Sequence, residues 1–205
     1  MALCREEEPE VEIRIHEVPL SQQLKGLHDD LYDLGFAQLD EVGDGLVAEP
    51  IWYDPLMVAL PARHPLLAHK RLPLDEVLRY PLALGDEHLC EGHARQIDRI
   101  LRQSTLEPLV VERVASFNLM MTLVSAGFAL GLAGASQIAS SHDASVVARM
   151  LAGRSQMLTT YVLRLDNEPS DTLARFIERV FSIEPPSGKI SAGRTQPIHS
   201  EDIDS

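Results

Sequence analysis

From Val11 to Phe181 the chain alternates short apolar runs with segments whose apolar residues recur every three or four positions. Few folds accommodate that alternation. Val11, Ile13 and Ile15 interleave with Glu12, Arg14 and His16, the period-two pattern of a half-buried strand. Pro19 ends it, and Ser21 is placed to cap a helix carrying Leu24, Leu27 and Leu31 on one face. The run 31–37 is then almost wholly apolar, holds one carboxylate (Asp33), and stops at the amide of Gln38. Strand, helix and strand at this spacing predict a βαβ unit with parallel strands. Downstream, strands are expected at 46–52, 56–60, 81–84, 109–114, 128–132, 146–150 and 158–163. Helices are expected from Pro73, over 93–103, 118–126 and 136–140, and over an amphipathic 172–181. Such a sequence of elements predicts an α/β fold.

At 205 residues and 45% apolar composition the chain can bury a substantial core. No stretch reaches the roughly 20 apolar residues of a membrane-spanning helix. The first residues, MALCREEEPEVE, are acidic and lack the basic and apolar regions of a secretory leader, which predicts a cytoplasmic protein. Cys4 and Cys90 are then expected as free thiols. A formal net charge of −13 repels phosphate backbones, so these residues are not expected to bind nucleic acid by themselves. There is no G-x-S-x-G, no H-E-x-x-H and no phosphate loop, so neither an enzyme nor a cofactor is expected. From Pro185 the composition turns to Pro, Ser, Gly and isolated charges, and 185–205 reads as a disordered tail.

Five segments occur in a fixed order: EVEIRIHEVPLSQQLKGL, LYDLGFAQ, LMVALPARHPLL, LPLDEVLRYPLAL and LMMTLVSAGFALGLAGAS. With the closing LARFIERV helix they resemble the C-terminal effector-binding domain of LysR-type transcriptional regulators, over residues 3–183. The resemblance implies a fold like type 2 periplasmic binding proteins: two α/β lobes joined by two crossing strands, with a small effector in the cleft. Lobe I would be 1–54 and 158–184, and lobe II 55–157, with 52–54 and 159–161 near the crossing. The partners implied are a small-molecule effector and a second copy, as a homodimer or homotetramer. DNA would be reached only through an N-terminal helix-turn-helix outside these residues, and no membrane contact is implied. The chain starts inside the family's first helix, so the first strand of lobe I and its effector-holding loop are expected to be missing, which would weaken that lobe. A solute-binding protein of a transport system would share the fold and is the alternative function.

In open α/β sheets ligands bind beyond the carboxyl ends of strands, where helix N-termini offer free N–H groups. That rule selects Leu20 and Ser21 after the first strand, although Ser21 is equally a plain helix cap. It also selects Gln38, at the end of the next strand. In relatives that sense aromatic carboxylates this place often holds an arginine, which clamps a carboxylate with two charge-assisted bonds. An amide here implies an effector that is neutral at this point or anchored as an acid elsewhere; a surface amide bonding local backbone is the other reading. The loop 85–96 aligns with the family's lobe II cleft loop and contributes His88 and His93. His93, near a helix start, could help hold an acid through its charge switch, or be a solvated loop histidine. His88, Cys90 and His93 offer three ligand types within six residues and no fourth, so no metal is expected. Ser116 and Asn118 open a helix as caps or cleft donors. Ala133 and Gly134 either let a ligand approach the backbone or pack helix against strand. Met120 and Met121 are expected in the core, and His64 and His69 on a solvated loop.

Overall fold

The computed structural model describes residues 11–183. Cys4 and the tail at 185–205 lie outside the described residues. In order the elements are α1 (Leu20–His28), β1 (Gly35–Ala37), β2 (Leu46–Pro61), a 3-10 turn (Pro65–Ala68), α2 (Leu74–Val77) and β3 (Leu82–Gly85). There follow α3 (Glu91–Leu101), β4 (Val110–Val114), α4 (Phe117–Ser125), β5 (Leu130–Gly134), α5 (Ala135–Ser140), β6 (Val146–Met150), β7 (Met157–Leu165) and α6 (Asp171–Ser182).

The strands form one path, β1-β7-β2-β5-β3-β4, with β6 on β2. Two parts meet in β2. Its first half, Leu46 to Pro55, pairs antiparallel with β7, which also carries β1. Its second half pairs antiparallel with β5 and β6, and β3 and β4 continue in parallel from β5. The chain therefore crosses between the parts twice, along β2 and β7, where Trp52 faces Thr160 and Tyr53 faces Thr159.

The second part is buried on both faces, as the unbroken apolar run of β2 requires. Leu56, Val58 and Leu60 pack with Leu82, Leu84, Leu130 and Leu132 against Ile97, Ile100 and Leu101 of α3. Met57 and Ala59 face the other way, onto Met120, Met121 and Val124 of α4 and Ile138 of α5. Met120 and Met121 are thus core side chains. The first part has a smaller core of Leu27, Leu46 and Leu163, edged by Leu20, Leu24 and Tyr32. With each buried aliphatic side chain contributing about 1.5–3 kcal/mol, the first part is held by much less apolar burial.

Several expectations are corrected. Val11 to Pro19 forms no strand: the segment is largely exposed, Ile15 at 77%, and nothing among the described residues pairs with it. Alternation gives strand propensity, but a strand also needs a neighbour for its N–H and C=O groups. There is accordingly no parallel βαβ unit at this end. The run 31–37 yields only the three-residue β1, antiparallel to β7, because Leu31 turns outward (71% exposed) after the left-handed Asp30. Ser21 does not cap α1. Pro19 holds that position without a side-chain bond, and Ser21 stands exposed in the first turn. The segments 46–52 and 56–60 are one strand, with a register shift between Pro50 and Trp52 absorbing the proline. His64 is not simply solvated: its Nδ1 accepts from the Leu66 N–H, its ring meets Tyr80 edge-on, and burial lowers its pKa.

Candidate effector site

A groove of about 180 Å3 opens where the two parts face each other beside the crossing strands. Val18, Leu20 and Gln23 line it from the start of α1, and Phe36, Ala37 and Gln38 from the end of β1. Leu89 to His93, at the start of α3, close the opposite wall. Both parts are needed to make it. A larger depression, about 360 Å3, lies between α5, the 142–144 turn and β6, with Met57 at its base. It draws on the second part alone, so opening or closing of the parts would not be sensed there.

The groove wall is built by a hydrogen-bonded contact. Gln38 Oε1 lies 3.0 Å from His93 Nδ1, and His93 Nε2 lies 3.3 Å from the Leu132 carbonyl. One turn further along α3, the Gln96 amide donates to the carbonyls of Gln38 (2.7 Å) and Thr159 (2.8 Å) and accepts from the Thr159 N–H (2.9 Å). The backbones meet closely because position 92 is glycine: a Cβ there would lie 2.8 Å from the Gln38 carbonyl. Arg95 also reaches Glu41 at 3.5 Å, but both are exposed and such a pair is worth little.

Burial pushes the His93 imidazole below its ordinary pKa, and the Leu132 carbonyl offsets part of that. A neutral ring has one N–H, and Leu132 can only accept, so Nε2 carries the proton. In the neutral ring Nδ1 is then a lone pair, and it can take a bond from the Gln38 NH2 only once the amide, which stands with Oε1 toward Nδ1, is turned. A charged ring would donate to Gln38 Oε1 instead, and a half-turn of the amide exchanges the two arrangements. An amide at 38 therefore matches either state of His93, where a carboxylate or arginine would match one.

Of the positions selected from sequence, Leu20, Gln38 and His93 come together at this groove. Ser21 and His88 are exposed and do not line it; His88 donates its backbone N–H to Asp86, whose carboxylate also takes the Leu89 N–H and is thereby held below its usual pKa. Ser116 caps α4, accepting from the Leu119 N–H at 3.3 Å, whereas Asn118 sits inside that helix, exposed. Ala133 and Gly134 are buried, and what approaches Gly134 is Asp54: a Cβ at 134 would collide with its carboxylate. Asp54 in turn accepts from the N–H and hydroxyl of Ser136. Among the described residues no group of three or more His, Cys, Asp or Glu side chains converges on a metal position. Cys90 lines the groove with its thiol pKa raised, first by burial and then by the Asp86 charge. Sequence reasoning missed Gln23, Gln96 and Asp54. Gln96 was within reach, since it lies three residues after His93 on one helix face.

Comparison with known proteins gives a consistent result. The family model for the LysR substrate binding domain matches residues 1–182. The regulator YnfL of Escherichia coli is 26% identical over 136 residues, covering 66% of this chain and 46% of that protein. The transcriptional regulator BenM of Acinetobacter baylyi is 26% identical over 136 residues, covering 65% and 45%. The chain thus spans a little under half the length of these curated relatives. The BenM effector binding domain with its effector benzoate superposes with a TM-score of 0.78 at 23% identity, over 90% of this chain and 87% of that one. The QuiR effector binding domain in complex with shikimate gives 0.74 at 17%, over 88% and 86%. The two-part sheet is the fold of those domains, and this chain belongs to the LysR substrate binding domain family.

Proposed function

We propose that this chain is the effector-sensing part of a transcriptional regulator, holding a small molecule in the groove between Gln38 and His93. The observation that carries the reading is that the groove exists only where the two parts meet, across the Gln38–His93 and Gln96 contacts. In this reading lobe I is 1–54 with 158–184 and lobe II is 55–157. Leu20, Gln38 and His93 touch the effector directly. Ser21, His88, Ser116, Asn118, Ala133 and Gly134 are second candidates, drawn in if the lobes close further. A ligand biases open and closed arrangements only by its differential affinity for them, so a groove shared by both lobes is where binding can do so.

The regulatory consequence belongs to a longer protein, since the curated relatives are about twice the matched length. There, domains pair as a homodimer or homotetramer and present DNA-binding heads, in the cytoplasm. No helix among the described residues is long and apolar enough to cross a membrane. The relatives are named as regulators, which favours this reading over a transport solute-binding protein. The test is calorimetric titration of small metabolites against the intact protein and its Gln38→Ala variant. Loss of one bond at the groove should weaken any true effector by ~10-fold. Unchanged affinity for every ligand would remove Gln38 from the site.

A further inference from the structure

We infer that Gln96 is a positioning residue that couples the groove to the crossing strand β7: while the two parts are closed, its side-chain amide serves as a rung that the β1–β7 ladder lacks. What this latch transmits rests on the effector reading of the groove; the latch itself does not. β1 pairs with β7 as far as Ala37 opposite Tyr161, and on that register residue 39 would stand opposite Thr159. The chain bends away at Gln38 instead. Thr159 is left with Tyr53 of β2 on one side and no described strand on the other.

A side chain from the second part fills the place. Gln96 Nε2 donates to the Thr159 carbonyl at 2.8 Å, and Gln96 Oε1 accepts from the Thr159 N–H at 2.9 Å. That is the two-bond exchange by which residues of neighbouring antiparallel strands pair. The second Nε2 proton goes to the Gln38 carbonyl at 2.7 Å, just where β1 ends. Only one orientation of the amide satisfies all three bonds. Gln96 does not line the groove, and it has no proton left for a ligand, so it acts through its partners. On the same face of α3, Gly92 is buried against the Gln38 backbone and His93 meets the Gln38 side chain in the groove wall. A ligand that alters how Gln38 and α3 meet therefore alters the bonds at Thr159. If the parts separate, the N–H and C=O of Thr159 lose these partners together. The bond from the Leu56 N–H to the Gln156 carbonyl, 2.9 Å, lies between the crossing segments themselves and survives.

Native-state hydrogen exchange followed by NMR on the full chain tests the latch without a ligand. In the parent, the Thr159 amide should exchange through opening of the parts, with little dependence on low urea. The Leu130 amide, bonded to the Pro81 carbonyl in the core of the second part, should exchange only on unfolding, with the full dependence. Gln96→Met keeps the length and fills the space but cannot make the bonds. It should speed Thr159 exchange ~10-fold or more and leave Leu56 exchange unchanged. It should also turn the two parts relative to each other, as read by N–H residual dipolar couplings. Thr159 exchange that follows Leu130 in the parent, or that is unmoved in Gln96→Met, overturns the latch. Faster exchange with the parts unturned overturns it too, and leaves Gln96 a local brace. The effector reading is untouched by these outcomes, since it stands or falls on the Gln38→Ala titrations.

Discussion

Replacing Gly92 by alanine tests whether the two parts touch as closely as the groove requires. At an open helix position Ala stabilises relative to Gly by up to ~1 kcal/mol. Here the added Cβ lies 2.8 Å from the carbonyl carbon and oxygen of Gln38, about 0.6 Å inside ordinary contact at 3.4 Å, and both atoms are backbone. The protein can respond in two ways. If the parts stay closed, overpacking costs ~1–3 kcal/mol, and after the helix gain the net is a loss of ~0–2 kcal/mol. If they move apart by that distance, the Gln38–His93 bond lengthens from 3.0 Å to about 3.6 Å and is lost, while the Gln96–Gln38 bond lengthens from 2.7 Å to about 3.3 Å and is weakened. With ~1 kcal/mol for the first and part of that for the second, the net after the helix gain is a loss of up to ~1 kcal/mol. Both routes point the same way, and in a chain this size each kcal/mol lost lowers Tm by ~2–4 °C. Differential scanning calorimetry of G92A reads this directly. A Tm equal to or above that of the parent would mean that the parts do not meet at Gly92, and the groove as described would fall with it.

Gln38→Glu should raise the His93 pKa, because a carboxylate about 3 Å away favours the imidazolium; two-dimensional NMR of the ring protons measures it, and an unmoved titration would separate the two side chains. In the parent protein, His93 and His64 are both depressed by burial, so the unfolded chain binds protons first as pH falls. Stability should therefore be constant above about pH 6.5 and decline below it, and His93→Gln should flatten that decline in a series of thermal melts; an identical slope would mean that His93 is not held neutral. Ser116→Ala removes the cap of α4 and should cost ~1 kcal/mol in urea unfolding; a stability equal to the parent's would mean that the Ser116 hydroxyl does not hold the helix start. A ligand-affinity change there would bring Ser116 into the site.

What was legible in the sequence tracks what each residue needed from its surroundings. Strands β3, β5 and β6 are apolar runs bounded by breakers, and local pattern sufficed to place them within a residue or two. Val11 to Ile15 carries an equally clear alternation, yet pairing is a property of the neighbour and not of the segment. Pro50 lies inside the expected strand 46–52, and Pro55 lies in the gap left before the expected strand 56–60. They are tolerated because the first half of β2 pairs with β7 on one side and with no described strand on the other, an edge where a missing N–H costs no ladder bond. At the site, Gln38 and His93 were each selected for standing at an element end, but they are 55 residues apart and their bond is a tertiary fact. The glycines divide the same way. Gly134 was singled out for a ligand's approach or for helix–strand packing, whereas what approaches it is the carboxylate of Asp54, 80 residues upstream and without a local signal.

Under the effector reading proposed above, the chemistry of the contact suits a joint that a ligand can bias. Four hydrogen bonds join α3 to Gln38 and Thr159, three of them from the single amide of Gln96, and all are uncharged while His93 is neutral. Each has a net value of ~1 kcal/mol, so the contact is worth a few kcal/mol. That is the scale on which one ligand's coupling energy, ~1–3 kcal/mol, can tip the balance. A buried ion pair at the same place would cost far more to break once one partner was removed, and it would lock the parts together. A glutamine at 38 is then more than the absence of an arginine. It gives up a ligand-clamping charge, and in exchange it supplies a joint that two small parts can make and release, and that fits His93 in either protonation state.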